Sequence, residues 1–291
     1  MLSKCFQFIP IKMNRFKFLI LIFFYFNGCS NKADPFVWIN TLPEPWTLSE
    51  AEFESFLPQF QEKFPNYHDR IKALNLWRVG TPYGLFCLGE ESGQDTDPII
   101  RNDSSDCTVH VLTTLAFAES FSWQHARDVM VDIHYKMDKE GRKKPTFESR
   151  WHFTSDRLLH HPQTQQITQT IAKDSELETI QIELNRKESG DEFLKLDWTS
   201  QETIQFLPIE KVKKNHLDKL PTVCGVAFVK RSYFKMGIVI AHEGYFIDQS
   251  NLIHASSEFG ETVNVDFMNY LYKEVGTPRF DGVMFYSIHP S

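Results

Sequence analysis

The hydrophobic period of this chain changes partway along it. Up to about Gln163, apolar residues recur three and four apart: Phe53, Phe56, Leu57, Phe60 and Phe64, then Ile71, Leu74 and Trp77, then Val111, Leu112, Leu115 and Ala118, then Val129, Met130 and Ile133. Such spacing puts each set on one face of a helix. Beyond Gln163, Ile180, Ile182 and Leu184 alternate with Thr179, Gln181 and Glu183, the period of a half-buried strand. Residues 193–198, 223–230, 236–241, 245–254 and 262–265 read as further strands, followed by a short helix near 266–273 and a last strand over 283–288. Helices first and antiparallel strands afterwards predict an α+β domain.

Local signals place the helix ends. Thr47 followed by Glu50 reads as a capping box, and Pro58 should kink or end the segment it opens. Gly80 stops the second helix, residues 81–103 read as a loop, and Ser104, Ser105 and Asp106 offer caps for the strongly apolar third. A fourth helix is expected over residues 123–137.

The chain starts with a basic stretch ending in Arg15 and Lys17, then nine apolar residues over 18–26, then Asn27, Gly28 and Cys29. That order is a secretory signal, with Met13 an alternative start, and nine apolar residues are too few to span a bilayer. The Gly28-Cys29 junction resembles a bacterial lipobox, which makes Cys29 the lipidated first residue of the mature protein; a plain secreted protein with a leftover cysteine is the alternative. The expected organisation is a signal over 1–28, a proline-containing tether over 29–46 and one domain over 47–291, held at the membrane of a bacterial cell envelope by a lipid anchor. Without its first 28 residues the chain has 27 basic residues against 38 acidic ones, a net charge of −11. Nucleic-acid binding, which draws its affinity from Lys and Arg on phosphates, is thereby largely excluded. Three further cysteines, Cys87, Cys107 and Cys224, would lie in an oxidising compartment, where one pair and one free thiol is the natural arithmetic. Cys87 with Cys224 is one such pair; two separate buried thiols are the alternative. No Cys/His spacing suggests zinc.

Cys107 stands at a predicted helix N-terminus, where the positive helix end and free N–H groups favour a thiolate and can hold an oxyanion. By itself a cysteine at a helix start is more often a buried structural residue. His254 lies between apolar neighbours on a strand, and residues 149–153 read Ser149-Arg-Trp-His-Phe153 on a loop ahead of the sheet.

The order helix-cysteine, sheet, Gly-Ile strand, Ile-His-Ala-Ser strand is similar to that of papain-like cell-wall cysteine peptidases of the NlpC type. More closely, the chain resembles the bacterial N-acetylmuramoyl-L-alanine amidase-like family, through Gly80-Thr-Pro-Tyr83, Leu88-Gly-Glu90, Asp106-Cys107, Ser149-Arg-Trp-His-Phe153, Met236-Gly-Ile238 and His254-Ala-Ser-Ser257. The resemblance implies a papain-like α+β domain, with helices packed on an antiparallel sheet and the nucleophile at a helix N-terminus. It also implies thiol-dependent hydrolysis of an amide bond in peptidoglycan stem peptides, without a metal or organic cofactor.

Residue by residue, Cys107 matches the nucleophile and His254 the orienting residue. The base position falls on Lys235, where the family has histidine. A lysine charged at pH 7 cannot take a proton unless desolvated, so weakened hydrolysis is expected, with a non-catalytic muropeptide-binding protein as the alternative. Tyr83 matches a substrate-contacting tyrosine. Ser149, Arg150 and His152 fall on a segment that resembles a lining of the active site, and Arg150 suits either a substrate carboxylate or an internal ion pair. Of the other histidines, His110 reads as core and His242 as a solvated turn residue.

Overall fold

The structure is a computed structural model and describes residues 34–85 and 100–291. Cys5, Cys29, Cys87, the Leu88-Gly-Glu90 motif, the signal and the lipobox lie outside the described residues.

Residues expected as a tether are packed from Phe36 onward. Two 3-10 turns, Pro35–Thr41 and Pro45–Thr47, bury Ile39 and Pro45 and set Trp38 edge-on against Phe60, 5.0 Å between ring centres. The capping box falls at Ser49 and Glu52, two residues later than expected, because Thr47 closes the second turn through its hydroxyl onto Glu44 O. Helix α1 (Glu50–Glu54) then breaks before α2 (Leu57–Lys63), where Pro58 sits in the first turn and its missing N–H costs nothing. Helix α3 (Tyr67–Trp77) brings Trp77 onto Phe53, 4.9 Å between ring centres.

The central helix α4 (Cys107–Glu119) is buried all round from Val109 to Ala118, so it packs between helices α3 and α5 and the sheet. Helix α5 (Trp123–His134) ends three residues before the expected Met137, which is exposed. Helix α6 (Thr154–His160) and the short α7 (Thr168–Ile171), α8 (Lys214–Leu217) and α9 (Phe267–Tyr270) complete the helical set described. None of the described helices is long and apolar enough to cross a membrane.

Seven antiparallel strands form one sheet: β1 (Glu178–Leu184), β2 (Ser200–Pro208), β3 (Val223–Val229), β4 (Ile240–Ile247), β5 (Asn251–Ser256), β6 (Glu261–Asp266) and β7 (Gly282–Tyr286), in the order β1-β2-β7-β3-β4-β5-β6. The fold is therefore α+β. Three sequence expectations shift. Residues 245–254, read as one strand, are the end of β4 and the start of β5 around a turn at 248–250. Residues 193–198 are irregular, and the partner of β1 is β2, with Ile180 opposite Ile204. Met236, expected to start a strand over 236–241, instead ends a 3-10 turn (Arg231–Met236), closed by Gly237 at φ 71°. A Cβ at Gly237 would lie 2.5 Å from Arg186 N, so both the left-handed backbone and the close approach require glycine.

The sheet divides the core. Ala227, Val229, Tyr245 and Ile253 face α4, while Cys224, Val226, Phe228, Phe246 and Leu252 face Phe267 and Phe285. Cys224 is a free, fully buried thiol, and Cys87, its expected partner, lies outside the described residues.

Candidate active site

Asp106 caps α4 by accepting a hydrogen bond from Val109 N at 2.8 Å. Burial pushes its carboxyl up to about 6. Cys107 follows as the first helical residue. Burial pushes its thiol up to about 12, helped by the charges of Asp106 and Glu243, while the Glu243 backbone amide and the Thr108 side chain pull the other way. At rest the sulfur holds its proton.

Cys107 lines a cavity of about 150 Å³ together with His152, Phe153, Ser155, Phe193, Ile240 and His242, among others. His242 is a strand residue of β4, not a solvated turn residue. A β-bulge positions it: Val229 pairs with Ile240 and Phe228 with His242, leaving Ala241 as the extra residue. Its ring stacks on Phe228 at 5.7 Å and Phe280 at 6.1 Å.

His242 Nε2 lies 2.8 Å from Nδ1 of His254 on β5. Burial, with each other's presence for His242, drives both imidazoles toward the neutral form, His242 well below its usual value and His254 to about 4. One of the two facing nitrogens therefore carries the shared proton. When His242 Nε2 donates it, His242 Nδ1 is left as a basic lone pair.

Beneath the cavity Glu243 is fully buried and holds three partners: Arg157 Nη2 at 2.5 Å, Tyr286 Oη at 3.0 Å and Thr154 Oγ1 at 3.1 Å. This ties the cavity wall on α6 to β4.

The structure brings Cys107, His152 and the His242–His254 pair together, and it does not bring Lys235 to them. Lys235 is exposed on the 3-10 turn, seven residues before His242, and is not among the residues lining the cavity. Its carbonyl accepts from Glu188 N. Tyr83 runs beside Ser105, two residues from Cys107, with its N–H on Gly260 O, yet does not line the cavity. Ser149 closes its own loop by donating to Lys144 O. Arg150 is fully buried, with its guanidinium 5.5 Å from the centre of the Phe147 ring, so it faces the protein interior. His152 gives Nε2–H to Phe147 O at 2.6 Å, and burial lowers it to about 4. The residue that sequence reasoning missed is His242; the bulge at Ala241 interrupts the alternation that would have marked it.

A larger cavity, about 720 Å³, lies between Tyr135, Lys136, Trp151, His160 and Gln163 and contains no thiol. Donor atoms of Asp156, His160 and Glu202 lie within 4.8 Å of one another. Lys136 Nζ already occupies Asp156 at 2.5 Å, which supplies the charge that a cation would bring.

Among solved structures, the chain is similar to a Legionella pneumophila protein described under the family model DUF1460, with 21% identity, a TM-score of 0.63, and coverage of 81% of this chain and 94% of that one. It is also similar to an N-acetylmuramoyl-L-alanine amidase from Bacteroides uniformis, with 19% identity, a TM-score of 0.55, and coverage of 76% and 98%. At such identities these likenesses bear on the fold alone. No curated protein matches the chain. A family model matches residues 75–277, a span that contains Cys107, His242 and His254, and the chain accordingly belongs to the AmiA-like, N-acetylmuramoyl-L-alanine amidase-like family.

Proposed function

We propose that the protein hydrolyses an amide bond in peptidoglycan stem peptides through a papain-like thiol mechanism related to that of the NlpC-type peptidases. The observation that carries this reading is a cysteine at the first turn of a buried helix, sharing a cavity with a histidine that is hydrogen-bonded to a second histidine. Cys107 is the nucleophile, His242 the base and His254 the residue that orients it.

His242 takes the thiol proton as Sγ attacks the substrate carbonyl, and the first-turn amides of α4 hold the oxyanion. The amide C–N bond then breaks, and the proton on His242 goes to the departing amine. Water, deprotonated by the same imidazole, clears the thioester and frees the carboxylate. A neutral imidazole suits this cycle because it can accept the proton that it later returns. The non-catalytic alternative rested on Lys235, whose place outside the cavity removes that argument. Family membership supports the peptidoglycan substrate.

An envelope location with Cys29 as lipid anchor belongs to the same proposal. Its support is the basic, apolar, Gly-Cys order of the first 29 residues.

The test is to incubate the purified mature protein with peptidoglycan fragments and follow new amines by mass spectrometry. Cleavage by the wild type that Cys107→Ala abolishes is expected. Absence of cleavage, or cleavage that survives Cys107→Ala, overturns the reading.

A further inference from the structure

The polar groups around the cavity are nearly all committed. Both carboxylate oxygens of Glu243 accept from Thr154, Arg157 and Tyr286. His152 spends Nε2 on Phe147 O, and the Thr108 side chain is engaged with Cys107. Phe153, Phe193, Leu194, Ile238 and Ile240 supply apolar wall. Ser155 differs from all of these. It lines the cavity and is 1% exposed, and its Oγ is enclosed without a hydrogen-bond partner. Folded proteins rarely leave a buried hydroxyl unsatisfied, because it has given up water and gained nothing in return.

We propose that Ser155 is a substrate-binding residue whose Oγ hydrogen-bonds an uncharged amide group, C=O or N–H, beside the bond that Cys107 attacks. This rests on the amide-hydrolase reading above. The partner is uncharged because Arg157 already neutralises Glu243 and the other polar lining residues, Thr108, Thr154 and the neutral His152 and His242, offer no opposite charge. A charge placed there would be desolvated without compensation. A hydroxyl both donates and accepts, so it fits either end of a peptide group. The enclosed volume of about 150 Å³ suits a small neutral residue rather than a long charged one.

Ser155→Ala tests the assignment. On a muropeptide that the wild type cleaves, kcat/KM should fall about tenfold. The melting temperature should stay level or rise, since the hydroxyl has no partner to lose. Alkylation of Cys107 by iodoacetamide, which does not use the hydroxyl, should stay within twofold of wild type. A kcat/KM within twofold of wild type overturns the proposal. So does a parallel fall in melting temperature and alkylation, the signature of a purely structural serine. Binding of N-acetylmuramoyl-L-alanyl-D-isoglutamine, measured by calorimetry in the Cys107→Ala background, separates this proposal from the reaction itself. A Kd about tenfold weaker when Ser155→Ala is added supports Ser155 even where the wild type cleaves nothing. Equal Kd values, or no binding, overturn the assignment.

Discussion

His242 and His254 meet at 2.8 Å across two strands that hydrogen-bond to each other only over Tyr245–Ile247 and Asn251–Ile253. Extending that register puts Gly244, not His242, opposite His254, so the two rings meet diagonally over a residue without a side chain. A Cβ at Gly244 would lie 2.8 Å from both His254 Cβ and Ile253 O. Gly244→Ala should therefore cost about 1–3 kcal/mol of stability, in the range of an overpacked core, and lower amide cleavage at least tenfold by moving the imidazole pair. Urea denaturation and the muropeptide assay measure both; unaltered values would contradict the geometry.

The assignment of the base separates two nearby residues. His242→Ala should reduce cleavage by about 10²–10⁴-fold, the usual worth of a positioned general base. His254→Ala should cost less, because it removes orientation rather than the proton acceptor. Lys235→Ala should change the rate by less than twofold, since its side chain is exposed and outside the cavity. A large loss in the lysine variant with none in His242→Ala would reverse the roles.

Protonation of the sulfur sets a pH profile. With the thiol pushed up to about 12 and His242 well below its usual value, the resting pair is thiol and neutral imidazole. The thiolate fraction then climbs about tenfold per pH unit below 12. Alkylation of Cys107 by iodoacetamide should rise steadily from pH 7 to 10 and show no plateau near pH 5. A plateau there would mean a standing thiolate–imidazolium pair.

Buried imidazoles also couple folding to acid. His134 is lowered to about 3, His254 to about 4, and His110 well below its usual value, in each case first by burial. The unfolded chain binds protons at these groups near pH 6.5, and the folded protein does so only at the lower values. Their stability is complete above pH 6.5 and is lost as pH falls toward 4, by about 1.4 kcal/mol per unit for each group. Urea midpoints at pH 7.5 and 5 should differ accordingly. His134→Phe should reduce the difference, since neither ring nitrogen of His134 has a hydrogen-bond partner.

Arg157 and Glu243 form a buried ion pair, 2% and 1% exposed. Arg157→Met should leave Glu243 as an uncompensated charge and cost about 3–5 kcal/mol. Adding Glu243→Gln should recover part of that loss in a double-mutant cycle. Equal stability of the wild type and the single variant would mean that the pair is not formed.

Much of this architecture is legible in residue spacing, and the departures have local causes. The stripes ending at Trp77 and Ala118 mark α3 and α4, and Asp106 caps α4 where a short polar side chain before an apolar run should. The β4 strand escapes the period rule because Ala241 is an extra residue. Upstream of it Ile240 faces α4, as Glu243 and Tyr245 do downstream, so neither face shows unbroken alternation. The apolar run Ile238-Val-Ile240 then draws the strand start toward Met236, and the expected base position falls with it on Lys235, which lies exposed and outside the cavity. The strand that carries His254 is legible because β5 pairs with β6 through six consecutive residues without a bulge. Ser155 carries no sequence signal, since its enclosure depends on where α6 meets the sheet.

Cys224 gives the molecule an internal record of its own opening. Its thiol lies on β3 opposite Phe246, fully enclosed, and burial pushes it above the usual thiol range. An electrophile meets almost no thiolate there while β3 stays paired on both sides with β4 and β7. Modification at Cys224 thus accumulates only during excursions that part the middle of the sheet, whereas Cys107 reports on the intact protein. The ratio of the two adducts in one sample, read by mass spectrometry, counts those excursions under native conditions.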